Sequence, residues 1–549
     1  MVAVRKARDV LGVVSLLGLS GLAFGQQALP QGVEGQVDPT LQRQQQERLR
    51  ERQAIEARAR RQEVPALRGD APEDQALPES GEAFELRGIT FNASVYLERE
   101  TLEGIARGYV GRPIRFADLN RLLREINALY EQAGQLTARA IIPAQTVDDG
   151  VLRVVLVEAK VDSVAWRTPP ARVKESFYRD RVAVTPGEVL DSPALMTAIQ
   201  RFNSTTPGPQ VSASLAPGAR FGTTRVDLEA FEPERLRWSL FANNYGNAGT
   251  GREQLGGSLT WFSPLGLADA ANLLLVSSSG SQYASLRYSV PVSRRNGVVY
   301  AEAGMNTLTI EEGPLAALNI EGESQSYTLG FDQPWWGSER WLWLTGLGYS
   351  QQQSENTLEG FTLSEVDTGE VFLRGQLEYR GDRWYLSYEQ RLRQASVDNA
   401  VSGEGGSYFL TNGEAYLARP LGERFEFVTR AGWQYAASPE ELPASLYYQF
   451  GGVSSIRGYD PGVVSSPWGV TLNLEAYWRP SERWQPFVFL DLGRAMELGL
   501  ADVDLQSGGI GLNLNWGKHV SLSVIAANTF KDVVPDQDSG QLLAQIVVR

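Results

Sequence analysis

Cysteine is absent from this chain, and histidine occurs once, at His519. Without thiols neither a disulfide framework nor a thiolate metal site can form. A single imidazole excludes multi-histidine metal centres and argues against His-dependent nucleophilic triads. Long apolar runs are equally scarce. A membrane helix needs about 20 consecutive apolar residues, and the one strongly apolar run, 10–24, falls short of that. If the chain crosses a membrane, it must do so with strands. A basic footprint is missing as well: the formal net charge is -14, which argues against a nucleic-acid partner. Nothing combines a nucleophile, a base and an orienting group at recognisable spacing. The chain therefore reads as not an enzyme, with no catalytic residues, metal or cofactor expected. Pairs such as Asp148-Asp149 and Glu311-Glu312 read as loop charges.

What is present divides the 549 residues into unlike regions. Arg5, Lys6 and Arg8 precede the apolar run, and Ala23-Phe24-Gly25 supplies a small-residue cleavage pattern before Gln26. Residues 1–25 thus read as a secretory signal peptide, too short for a membrane anchor. Residues 26–63 are polar. Within them 41–63 is built of good helix formers without an apolar stripe, and such a helix cannot sit in an ordinary core. Two readings stay open: a solvated linker, or a plug-like helix in a water-filled lumen. Residues 64–80, rich in Pro, Asp and Glu, read as a flexible tether.

Residues 81–232 read as two tandem α+β modules, 81–160 and 161–232. In the first, 84–91 reads as a strand, and Asp118 is a plausible N-cap for a helix. Its apolar spacing runs through Leu119, Leu122, Leu123, Ile126, Leu129 and Tyr130 to Gly134. Strands over 136–142 and 151–157 follow, joined by a loop ending in Asp149-Gly150. The second repeats the theme: strand 161–166, a helix carrying Leu195, Ile199 and Phe202, then strands 211–215 and 224–229.

From 236 onward the helical period gives way to alternation. Val470, Leu472, Leu474, Ala476 and Trp478 alternate with Thr471, Asn473, Glu475 and Tyr477. Segments of about ten such residues fit tilted membrane strands with lipid outside and water inside. The 13 tryptophans and 55 glycines suit the girdles and tight turns of a barrel. Counting back from the C-terminus predicts sixteen strands, near 237–246, 254–264, 272–280, 283–292, 298–310, 324–334, 340–354, 369–380, 384–394, 408–419, 425–437, 468–479, 484–495, 507–517, 520–530 and 541–549. An even count puts both ends on the periplasmic side.

The long loop 438–467 carries Ile456-Arg457-Gly458-Tyr459, and the next strand but one carries Phe489, Asp491 and Gly493. Strand parity predicts that Val488, Leu490 and Leu492 face lipid, so Phe489, Asp491 and Gly493 face the lumen. An arginine reaching down from the loop would make a charge-assisted, bidentate pair with Asp491. Gly493 would leave it room. The bland alternative is two unrelated solvated charges.

Ser455-Ile456-Arg457-Gly458-Tyr459 resembles the Val/Ile-Arg-Gly-Phe/Tyr tip of the loop-six hairpin in the Omp85 superfamily. Phe489-x-Asp491-x-Gly493 is similar to its partner motif on strand thirteen. Upstream, Gly134-Gln135-Leu136-Thr137-Ala138-Arg139, Ile142-Pro143-Ala144-Gln145 and Asp149-Gly150-Val151-Leu152 resemble the first POTRA domain of two-partner secretion transporters, the TpsB group of FhaC and ShlB type. Ala216-Pro217-Gly218 and Gly222-Thr223-Thr224 are similar to the end of their second POTRA.

The resemblance implies two POTRA domains followed by a 16-stranded outer-membrane β-barrel. It also implies export of a partner, a TpsA-like adhesin or haemolysin, unfolded and without ATP. The expected location is the outer membrane with the POTRA domains in the periplasm. Other expected partners are outer-membrane lipid and, during biogenesis, the barrel assembly machinery and periplasmic chaperones. Client binding is expected by strand addition and in the groove beside the first POTRA helix, at Leu122, Ile126, Tyr130, Leu136, Thr137, Ala138 and Arg139. The main alternative is an assembly factor of the same superfamily, and a passive porin is a third. The chain departs from the family in ending on Arg549 instead of an aromatic residue, and 41–63 matches its plug helix in character only.

Overall fold

The computed structural model describes residues 39–61, 64–69, 75–78, 83–313, 315–496, 501–535 and 537–549. The expected signal peptide, the stretch 26–38 and parts of the tether lie outside the described residues.

Sixteen antiparallel strands, from Leu236–Asn243 to Gly540–Val548, close into a barrel in which each strand pairs with the next barrel strand along the chain and the last with the first, while the short hairpin Tyr448–Phe450 and Val464–Ser466 stays apart. All sixteen expected strands are there. Alternation explains why. Leu240, Leu329, Leu347 and Ile510 on the outer face are all more than half exposed, a surface that only lipid can cover at this density. Their neighbours point into a polar lumen. At the short-turn end the outer face is aromatic: Trp478 and Trp484 meet across a turn at 5.3 Å, and the Tyr379 ring lies tilted against Trp384 at 4.5 Å. Such a girdle marks a membrane interface.

Strands six to ten are longer than the apolar alternation indicated: Ile320–Gly337, Trp341–Leu358, Phe361–Arg380, Tyr385–Asn399 and Gly405–Leu421. Their outer halves continue the ladder with polar residues, and outward-facing Glu323, Glu355 and Glu365 stand in register. Hydrogen-bond pairing needs no apolar face, so the ladder runs on past the lipid. The barrel closes through only four register pairs, Leu240↔Val548 to Asn243↔Gln545. Asn244 staples that seam, donating to the Leu542 carbonyl at 2.7 Å and accepting from the Ala544 amide at 2.8 Å. Arg549 is tied down as well, its amide donating to the His519 carbonyl at 2.7 Å.

Both α+β modules form, with corrections to the expected boundaries. The strand expected over 84–91 is two pieces, because Phe84–Glu85 pairs antiparallel with Pro113–Ile114 while Gly88–Phe91 pairs parallel with the strand Val151–Glu158. The chain changes partner at the fully buried Leu86. Asp118 is not the N-cap of the helix Phe116–Gln132. Arg115 is, and Asp118 sits in the first turn, accepting from the Arg115 amide at 3.0 Å. The strand expected over 136–142 is Ala138–Ile141, with Leu136 and Thr137 in the preceding turn. A helix not foreseen, Arg99–Arg107, buries only Leu102 and Ala106. The polar helix spans Leu41–Ala59 rather than 41–63.

The second module sits on the short turns of the barrel. Arg181 donates to Asn296 at 2.6 Å and to the Ser293 carbonyl at 2.7 Å, and Asn296 donates to Thr205 at 2.7 Å. Phe262 and Ala268 from the barrel's first turn pack in that module's own apolar core.

Candidate functional site in the barrel lumen

The loop joining strands eleven and twelve folds inward. Its arginine is 5% exposed and meets an Asp491 with no exposure at all. Arg457 Nε donates to Asp491 Oδ2 at 2.8 Å and Nη2 to Oδ1 at 2.7 Å, while the Arg457 backbone amide adds a third bond at 3.0 Å. The guanidinium lies 3.8 Å from the Phe489 ring centroid, a cation–π contact that water does not weaken here. Each neighbour in the two motifs has a steric part. A Cβ on Gly493 would stand 3.2 Å from the Ile456 side chain, so the absent side chain is what admits the loop tip. Gly458 has φ +90°, a region that favours glycine. Tyr459 is fully buried and donates to the Lys531 carbonyl at 2.7 Å.

The pair is one end of a longer chain of charge. Arg457 Nη1 also binds Glu475 at 2.7 Å, Glu475 binds Arg430 at 2.7 Å, and Arg430 binds Glu56 at 2.5 Å. Signs alternate from Asp491 on strand thirteen through strands twelve and eleven to Glu56 on Leu41–Ala59. Alternation matters because a buried charge left single costs several kcal/mol. Glu475 and Arg430 were not singled out from the sequence as site residues. The parity that places Glu475 in the lumen was readable, but the register joining the three strands was not.

The polar helix Leu41–Ala59 lies in the lumen and touches the wall all round. Gln45 donates to the Tyr245 carbonyl at 2.8 Å, Arg50 to Ser285 at 2.6 Å and Arg52 to Asn473 at 3.1 Å. Arg58 meets Glu378 at 3.1 Å, and Glu51 meets Arg391 at 3.4 Å. Arg48 donates to the Gln449 carbonyl at 2.8 Å, at the base of the loop that carries Arg457. Beside Ile55 the void between helix and wall is about 20 Å³, room for about one water.

The expected client contacts are placed differently. Leu122, Ile126, Tyr130 and Ala138 are buried in the core of the first module, because the apolar face of Phe116–Gln132 turns onto the sheet. Their side chains hold the fold of that module. The Tyr130 phenol donates to Glu158 at 3.0 Å, and burial, with that carboxylate beside it, pushes its pKa up. Leu136 donates its amide to Ser192 of the second module at 3.3 Å. Leu136, Thr137 and Arg139 are half-buried.

Comparison with known proteins agrees with this fold. Residues 222–514 match the family described as haemolysin secretion/activation protein ShlB/FhaC/HecB, and residues 84–159 match the ShlB-type POTRA domain. The chain is 24% identical over 512 residues to the outer membrane transporter CdiB of Dickeya dadantii, covering 89% of this chain and 86% of that protein. It is 22% identical to the heme/hemopexin transporter protein HuxB of Haemophilus influenzae, covering 82% and 84%. The solved structure of CdiB from Escherichia coli superposes with a TM-score of 0.68 at 19% identity, over 95% of this chain and 100% of that one. A closed barrel with two POTRA modules at its short-turn end is therefore an outer-membrane protein with those modules in the periplasm, and the chain belongs to the ShlB/FhaC/HecB family, the two-partner secretion transporters of the Omp85 superfamily.

Proposed function

We infer that the chain recognises an unfolded exoprotein of the adhesin or haemolysin kind through its POTRA domains and exports it through the barrel without ATP. The observation that supports this most is that the lumen already holds a polypeptide. Leu41–Ala59 fits inside the wall, and a helix is about 10–12 Å across. An extended chain is narrower, so a lumen vacated by the helix admits one.

The two sets of lumen contacts differ in strength, which assigns them different roles. The helix is held mainly by hydrogen bonds and partly exposed ion pairs, with Arg58 38% and Glu51 45% exposed. Pairs of that sort contribute about 0–1 kcal/mol each. Arg457 and Asp491 are buried, and losing one of them would leave a charge uncompensated at about 3–5 kcal/mol. The helix is the removable part, a plug, and the loop tip is the anchor that keeps its place. Outward bias comes from the client, since a domain that folds beyond the membrane gains about 5–15 kcal/mol. Relatives named for hemolysin and for heme/hemopexin indicate the class of cargo.

The test is reconstitution. Purified chain in liposomes, given urea-unfolded exoprotein and no nucleotide, should move it to a protease-protected compartment. Deleting 81–232 should stop the movement while leaving the barrel folded. A nucleotide requirement, or equal transport by the deletion variant, would contradict the reading.

A further inference from the structure

The described pieces of the tether between the lumen helix and the first POTRA domain, 64–69 and 75–78, each dock on a POTRA domain. In the second module Leu67–Arg68 adds as a parallel strand to the edge strand Gln210–Pro217. The Ala213 amide donates to the Ala66 carbonyl at 3.0 Å, Ser212 Oγ donates to the Pro65 carbonyl at 2.6 Å, and Ala66 and Leu67 pack on that module's core. In the first module Gln75 places its side-chain amide at the end of the edge strand Ala138–Ile141. It accepts from the Ile142 amide at 2.8 Å and donates to the Ile142 carbonyl at 2.9 Å, as a paired strand would. Asn120, on the helix Phe116–Gln132, performs the same exchange in the other direction. It accepts from the Leu77 amide at 2.9 Å and donates to the Leu77 carbonyl at 3.0 Å. Leu77 packs against the module's core and borders a cleft of about 790 Å³ whose walls include Phe84, Phe116, Ile142 and Val147.

Asn120 and the outer edge of Gln210–Pro217 read backbone groups that every peptide carries, whatever its side chains. Beside each lies an apolar surface that takes one aliphatic residue. Sites of this kind suit an unfolded client, whose common features are its amides and its scattered aliphatic side chains. We propose that these two sites, the Gln210–Pro217 edge and the Asn120 groove, bind peptide and are held in the resting protein by the chain's own tether, and that an extended segment of the exported polypeptide takes them by displacing it. The fitting segment carries two bulky aliphatic residues spaced as Leu67 and Leu77 are, ten positions apart. Because the same tether leads to Leu41–Ala59, capture of the client and loosening of the plug become one event. The inference rests on POTRA recognition of the client, and it adds the residues that perform it.

The test uses the full-length chain in detergent and a labelled synthetic peptide of residues 64–80 as the probe, read by fluorescence anisotropy. The double variant Leu67→Asp/Leu77→Asp alters the tether and leaves both grooves untouched. It should bind the peptide about tenfold more tightly than the unaltered chain, whose sites are filled in cis, and adding Asn120→Ala should reverse most of that gain. The urea-unfolded exoprotein, diluted into the assay, should displace the peptide. Equal peptide binding by the unaltered chain and the double variant overturns the inference, as does a gain indifferent to Asn120→Ala or an exoprotein that fails to compete. If export requires 81–232 and the peptide result is flat, only this inference falls. If export does not require 81–232, the recognition reading falls first, whatever the peptide does.

Discussion

Glu56 on the lumen helix and Arg430 on the eleventh strand form an ion pair of 2.5 Å, and Arg430 is at the same time 2.7 Å from the buried Glu475. One guanidinium thus serves the plug on one side and the Arg457 cluster on the other. The two partners differ in exposure, Glu56 at 31% and Glu475 at 5%, so their substitutions should differ in effect. Glu56→Ala should raise the frequency of open-channel events in planar bilayers only slightly. Arg430→Ala, which also leaves Glu475 short of a partner, should raise it severalfold. Deleting 41–59 should produce large, steady conductance. Unchanged conductance in the deletion variant would remove the helix from any plugging role.

Arg457→Ala and Asp491→Arg should each abolish or strongly reduce secretion while the barrel still reaches the outer membrane, as read by immunoblot of medium and membrane fractions. Arg457→Lys keeps the charge but loses the planar fork that reaches both Asp491 oxygens. It should secrete at an intermediate level. Normal secretion by the alanine variant would mean that the loop tip needs no anchor.

Gly493 faces the Ile456 side chain at 3.2 Å from where a Cβ would stand. Gly493→Val should therefore push the tip off the wall and lower secretion. Trimming the opposing side chain, in Gly493→Val/Ile456→Ala, should recover part of it. A double variant no better than the single one would show that the glycine acts through something other than this contact.

In the first POTRA domain, Ile126→Ala should destabilise the fold by about 2–5 kcal/mol, the range for emptying a core site, and should show as faster proteolysis of residues 83–160. Arg139→Ala, at a half-buried position, should leave protease resistance unchanged. Equal protease sensitivity in the two would contradict the placement of Ile126 in the core.

Much of the barrel was legible because lipid outside and water inside write themselves onto alternate residues. Val488 and Leu490 could be told from Phe489 and Asp491 by parity alone. Cross-strand register has no such signature: that Asn473 faces Asp491, or that Thr429 faces Leu474, depends on how each hairpin is staggered. Glu475 and Arg430 therefore stayed hidden as partners although both sit on predicted strands. The helix in the first POTRA domain was legible from its apolar stripe, but that stripe faces the module's own sheet. Apolar spacing reports what a helix buries, and Leu122, Ile126 and Tyr130 are spent on the sheet beneath them. Arg99–Arg107 passed unnoticed because two buried residues in nine make too thin a pattern.

The uneven length of the barrel strands makes the outer mouth lopsided. At about 3.3 Å per residue and a tilt of about 45°, the 20 residues of Phe361–Arg380 rise roughly 45 Å, whereas the 8 residues of Leu236–Asn243 rise roughly 20 Å. Lipid hydrocarbon accounts for about 30 Å, so one flank of the pore stands well above the bilayer like a parapet while strand pairing on the other ends short of that thickness. A polypeptide leaving the channel emerges against that parapet, screened on one side and open to solvent on the other.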